Sequence, residues 1–164
     1  MYKQCVAVLL AAITALSCSV TWAARESHWF EVHFSIPARP FYIIPSEPDW
    51  MHLTQTLQWD YPRSTLLGLR KNFDVRHDTS AIEARLETPA YLSNGKDVIA
   101  LQVRFNGVEL DSDPLFRQVL SQEEAARGKR VLLEIDPVPP LGGYRSGDFA
   151  GTVMLVFNAR APGQ

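Results

Sequence analysis

Apolar and polar residues alternate with a period of two along much of this chain. Phe30, Val32, Phe34 and Ile36 alternate with Glu31, His33 and Ser35, and the run stops at Pro37. Ile82, Ala84 and Leu86 alternate with Glu83, Arg85 and Glu87. Ile99, Leu101, Val103 and Phe105 share one face of Val98 to Phe105. Successive side chains of a strand point to opposite faces, so each run predicts a half-buried β-strand. Shorter strands are expected at Phe41 to Ile44, at Leu53 to Tyr61, at Lys71 to Arg76 and at Val131 to Ile135. Gly147 to Phe157 is the last expected strand and the most apolar. Ser93-Asn94-Gly95 and Asn106-Gly107 supply turns, and the second predicts a hairpin into Val108 to Leu110.

One segment follows another period. Leu115, Phe116, Val119 and Leu120 are close to helical spacing within Asp113 to Arg127. Ser121 and Glu124 have the spacing of a capping box, and Gly128 is placed to end the turn. A short helix is expected here. Short strands, closely spaced turns and 11 prolines otherwise predict an all-β chain folded as an antiparallel β-sandwich.

The first residues belong to a different class. Lys3 precedes the nearly unbroken apolar run Val6 to Leu16, and Thr21-Trp22-Ala23 places small residues at the cleavage positions. This pattern reads as a secretory signal peptide over residues 1–23, cut after Ala23 or Ala24. Its apolar run is short for a membrane span. A lipoprotein signal at Cys18 is the competing reading, but Ala15 and Leu16 make a poor lipobox. Both cysteines, Cys5 and Cys18, fall in the segment to be removed, so the exported domain would hold together without disulfides. Loss of Lys3 takes the formal charge from −2 to −3, which supplies no basic field for nucleic acid or an anionic membrane.

Chemistry is sparse. His28, His33, His52 and His77 lack metal-ligand spacing, and neither a metal nor a cofactor is expected. Glu123 and Glu124 are adjacent and do not face each other on a helix. Asp111 and Asp113 fit turn caps better than a calcium loop. Leu141-Gly142-Gly143-Tyr144 lacks the Lys-Ser/Thr of a phosphate loop, and no serine sits in a nucleophile elbow. An enzyme is not expected. Trp50, Trp59 and Tyr61 are candidates for a sugar-binding surface, with Trp59 and Tyr61 on one strand face. Packing in a sandwich core is the favoured role for them.

Taken together, the two ends of the exported chain resemble a known family. Phe30-Glu-Val-His-Phe-Ser-Ile-Pro37 followed by Phe41-Tyr-Ile-Ile44 resembles the mature N-terminus of the alpha-class chaperone–usher fimbrial subunits, the colonization-factor-antigen and cable-pilus major pilins. Ser146-Gly-Asp-Phe-Ala-Gly-Thr-Val-Met-Leu-Val-Phe157 is similar to that family's closing strand. Leu57-Gln-Trp-Asp-Tyr61, Lys71-Asn-Phe-Asp-Val-Arg-His-Asp78 and Ile99 to Leu110 fall in the family's order. The chain departs from the pattern in three places. Ile36-Pro37 lacks the family's Asp before Pro, the segment before Val131 is shorter and more helical, and the aromatic content is high.

The resemblance implies an immunoglobulin-like sandwich that lacks its last strand, spanning residues 41–164, behind a donor-strand extension at residues 24–40. Phe30, Val32, Phe34 and Ile36 would be the donor side chains. Phe149, Val153, Leu155 and Phe157 would form the edge that accepts a chaperone or donor strand, since no strand follows Phe157 in the sequence. The implied partners are neighbouring pilin subunits, a periplasmic chaperone and an outer-membrane usher. The implied location is a cell-surface fimbrium reached through the periplasm. The alternative is a minor or tip subunit, or a stand-alone secreted sandwich, that holds a carbohydrate on Trp50, Trp59 and Tyr61.

Overall fold

The alternating runs condense into two facing sheets. In the computed structural model residues 41–160 are described. Eleven strands and one helix follow in order. They are β1 (Phe41–Pro45), β2 (Trp59–Asp60), β3 (Thr65–Leu66), β4 (Leu69–His77), β5 (Ala81–Leu86), β6 (Tyr91–Ser93), β7 (Val98–Phe105), β8 (Val108–Leu110), β9 (Arg117–Leu120), α1 (Gln122–Arg127), β10 (Lys129–Pro137) and β11 (Leu155–Arg160). The larger sheet runs β1-β4-β10-β7-β6, with β8 also paired to β7. The smaller sheet runs β11-β5-β9, and β2 and β3 form a separate hairpin. All the ladders are antiparallel.

The inward phases of these strands make the core. Phe105, Ile82, Leu120, Val75, Val103 and Val131 are its largest fully buried side chains. Phe105 meets Phe73 at a ring-centroid distance of 5.7 Å and Phe157 at 5.0 Å, both edge-on, so one ring ties the two sheets together. The outward phase of the larger sheet is charged. Asp136 on the central strand β10 accepts from Arg70 of β4 and Arg104 of β7, each at 2.7 Å. Glu134, two residues away, faces the same arginines in register. Arg130 donates to its cross-strand partner Asp74 at 2.8 Å, and that hydrogen bond holds the Asp74 carboxyl below its ordinary range. On β4 and β10 the inward face is apolar and the outward face mostly charged, Leu132 apart, which pins the register against a one-residue slip.

Turn chemistry behaves as the dipeptides predict. Asn106 and Gly107 take φ of 53° and 76°, and Phe105 pairs with Val108 across a two-residue hairpin. The capping box is also present. The Ser121 hydroxyl accepts from the Glu124 amide, and the Glu124 carboxylate accepts from the Ser121 amide at 3.0 Å. Lys129 donates to the same carboxylate at 2.9 Å. With Lys129 first and Ser121 second, these bonds lower the Glu124 pKa to about 2.

Three expectations change. The helix is shorter than the Asp113 to Arg127 pattern predicts, because Arg117–Leu120 pairs with β5 as a strand. A register shift between Ile82 and Glu83 lets Val119 and Leu120 both be buried, which imitates a helical spacing in sequence. The strand expected over Leu53 to Tyr61 shrinks to Trp59–Asp60, with Tyr61 in a turn. The last strand begins at Leu155 rather than near Gly147, and only an isolated bridge, Ser93 to Ala150, precedes it.

Candidate assembly groove

Among the described residues β11 is paired on one side only. Leu155, Phe157 and Ala159 lie opposite Leu86, Ala84 and Ile82 of β5. β5 is completed on its far side by β9. Among the described residues no strand pairs with the other edge of β11. Beside this edge the sheets part around a cavity of about 390 Å³. Its walls are Leu69, Phe73, Leu101, Leu133 and Ile135 from the larger sheet, Leu155 from the smaller one and Val153 from the segment leading into it. Trp50, Met51, Leu53 and Leu57 from the loop after β1 also contribute. Among the described residues no charged side chain lines it.

Local sequence builds each wall. Trp50 packs edge-on against Phe73 at 5.7 Å, and the Lys71 ammonium lies 5.1 Å from its ring centroid. The Gln55 side chain donates to the carbonyls of Trp50 and Leu53, both at 2.9 Å, and so clamps the turn that carries Trp50. The Trp50 indole N–H is buried without an acceptor. Opposite, the chain enters β11 through Gly151. A Cβ there would fall 2.0 Å from the Tyr91 carbonyl oxygen, so only glycine lets this segment pass so close to β6.

The expected site residues divide. Val153 and Leu155 line the groove, while Phe157 turns inward onto Phe105. Phe149 instead lines a second cavity of about 480 Å³ with Trp59 and Tyr144. The three aromatics proposed as a sugar surface are not brought together. Trp50 borders the groove, Trp59 borders the second cavity, and Tyr61 is 83% exposed and lines neither. Phe30, Val32, Phe34 and Ile36 lie outside the described residues. The sequence reading missed Leu69, Leu101 and Leu133 as groove residues. Leu101 and Leu133 share the inward phase of Phe105 and Ile135, but phase alone does not say what lies across from them.

Other candidate groups serve the fold. His77 Nδ1 accepts from the amides of Thr79 and Ser80, and its ring lies 5.3 Å from Phe41. The carboxylates of Asp111 and Asp113 accept from the amides of Asp113 and Leu115 and so cap successive turns. Among the described residues no three His, Cys, Asp or Glu side chains converge on a metal-sized site.

A sandwich with one short sheet and an apolar groove at its edge has a counterpart in sequence. Residues 26–158 match the family model for the CS1 type fimbrial major subunit. The chain belongs to this family. It is a pilin, a structural fimbrial subunit that associates with other pilin subunits. The CooA pilin subunit from enterotoxigenic Escherichia coli has a similar fold, with a TM-score of 0.56 over 71% of this chain and 86% of that one. The two are 15% identical in sequence, so that likeness concerns the fold alone. No curated protein sequence matches this pilin.

Proposed function

We propose that this pilin polymerises by donor-strand exchange. A neighbouring subunit lends Phe30, Val32, Phe34 and Ile36 to the groove beside β11. The observation that carries the reading is the conjunction of an apolar groove with a strand edge that no described strand pairs. An added strand would satisfy the free main-chain groups of β11 and place alternate side chains between the sheets. At about 1.5–3 kcal/mol for each large side chain fully buried, the donor side chains supply on the order of 6–12 kcal/mol before ordering costs. Such a joint holds without a disulfide. Donor and acceptor surfaces differ, so the contact does not close on itself and propagates as a filament.

An unpaired edge is an aggregation hazard before assembly. A periplasmic chaperone therefore covers it after export under the signal peptide, and an outer-membrane usher exchanges the chaperone for the next subunit. The product is an adhesive fimbrium on the cell surface. Pro37 and Pro40 end the lent strand, since proline cannot continue a central ladder.

Removal of Trp29 to Ile36 separates this reading from that of a complete monomeric sandwich. The shortened subunit is expected to be recovered bound to chaperone and to give no fibre. The point variant Phe34→Asp is expected to do the same. Misfolding of the shortened chain in the presence of chaperone would place the stretch in the subunit's own core and defeat the proposal.

A further inference from the structure

The two ends of the sandwich differ, and the chain enters β1 at the end away from the groove. β4 runs from Leu69 to His77, nine residues that span about 27 Å. Leu69 lies at the groove with Leu101, Ile135 and Leu155. At the His77 end, Ala125 of α1 is buried against β4 and β5 and closes the sandwich. Phe41, the first residue of β1, pairs with His77 at that closed end. A strand lent by a neighbour therefore enters by the open end, and the body of the neighbour follows it there.

Chain length then sets how close that body sits. Pro37 to Pro40 separate Ile36 from Phe41, and these five Cα steps reach at most about 18 Å. With Ile36 seated between the sheets, Phe41 of the lending subunit stays within that distance of the groove mouth. Both sides carry apolar surface that the described residues leave uncovered. Phe41 shares the phase of Ile43, which packs on the core, yet it is 40% exposed and rests on the His77 ring at 5.3 Å. On the accepting side, Met51 and Leu53 line the groove and are 57% and 65% exposed. Their turn is already built, since the Leu53 amide donates to the Trp50 carbonyl at 3.1 Å and Gln55 clamps both residues. We propose that Phe41 of the lending subunit docks on Met51 and Leu53 of the accepting subunit, as a second contact beside the inserted strand. This contact rests on the donor-strand reading and adds to it a partner surface, the closed end of a second copy of this chain. A flexible thioether suits an aromatic ring, and a clamped turn loses little freedom on docking. An inserted strand followed by a short link leaves the two bodies free to pivot, and an aromatic anchor at the mouth restricts that pivot.

The test is photo-crosslinking in fibres, with p-benzoylphenylalanine in place of Phe41 and wild-type subunits mixed in excess. Irradiation is expected to give a covalent dimer whose joined peptide contains Met51 to Leu53. The reciprocal probe in place of Leu53 is expected to join Phe41, and it decides the matter where the first variant does not enter fibres. Phe41→Ser fibres are expected to bend more, with a shorter persistence length in electron micrographs. Fibres in which neither probe joins the other patch overturn the proposal and leave strand exchange standing, as do Phe41→Ser fibres as stiff as wild type. Fibres that form from a chain lacking Trp29 to Ile36 defeat the strand-exchange reading instead, and with it the link that holds Phe41 at the mouth.

Discussion

The inward face of β7 passes through two different environments. At one end Phe105 is fully buried between Phe73 and Phe157. Four residues earlier, Leu101 lines the open groove. The alternation is unbroken between them, and both side chains point the same way. What differs is the facing layer. β5 and β9 cover the Phe105 end, with Ile82, Ala84 and Leu120 fully or almost fully buried. At the Leu101 end the smaller sheet stops at the edge of β11, which no other described strand pairs. A half-apolar strand therefore states that it will be covered, and leaves open whether its own chain does the covering.

The comparison can be broken from the filled end. Phe105→Ala removes the ring that joins the sheets and is expected to cost about 3–5 kcal/mol. That loss should appear in the urea midpoint of the subunit even when the groove is occupied by chaperone or donor strand. A midpoint that moves no further than in a groove variant would mean the two ends do not differ in the way proposed.

The open end should respond in the opposite manner. Val153 is only partly buried and lines the groove. Val153→Asp is expected to destabilise the groove-empty subunit less than Phe105→Ala does, because Val153 packs on the rim of the core and is only partly buried. Its fibre yield should fall at least tenfold, roughly the effect of placing an unpaired carboxylate against an inserted apolar strand. Sedimentation of fibres against soluble subunit reads both quantities from one preparation. Normal fibres from this variant would remove the groove from the joint.

The smallest expected effect lies away from both ends. The Glu124 carboxylate has a folded-state pKa lowered from 4.5 to about 2 by Lys129 and the Ser121 cap. A depressed carboxylate pKa stabilises the fold fully above the unfolded value and loses that contribution as pH falls through the folded one. The contribution should fade between pH 4.5 and about 2. Because 42% of the side chain is exposed, solvent screening keeps it below about 1 kcal/mol. Glu124→Gln should flatten the acid limb of the stability profile in that window and leave fibre yield unchanged. An acid limb identical to wild type would show that the cap is not coupled to global unfolding.

Much of the fold was legible before any coordinates. Period-two patterning located β4, β5, β7 and β10, because each has one face in the core and the other in water. Asn106-Gly107 located its hairpin because few residues tolerate positive φ in succession. Ser121 and Glu124 located the start of the helix because that spacing satisfies two free amides at once. Patterning failed where burial departed from strict alternation. Val119 and Leu120 are both buried beside a register shift, and the pair read as helix. Leu53 to Leu57 read as a strand, yet these residues lie in the loop that walls the groove.

The sequence by itself determined the class of the fold, the register-setting faces, the turns and the family. These are local or periodic properties, written in the order of side chains along one strand or turn. Only the tertiary structure decided which inward-facing residues are covered. It sent Trp50 to the groove and Trp59 to a separate cavity, although they stand close together in the chain. Among the described residues it also left β11 with one neighbour. Coverage depends on what packs across from a residue, and that is set by strands distant in sequence whose edges and layers meet only when the sheets close.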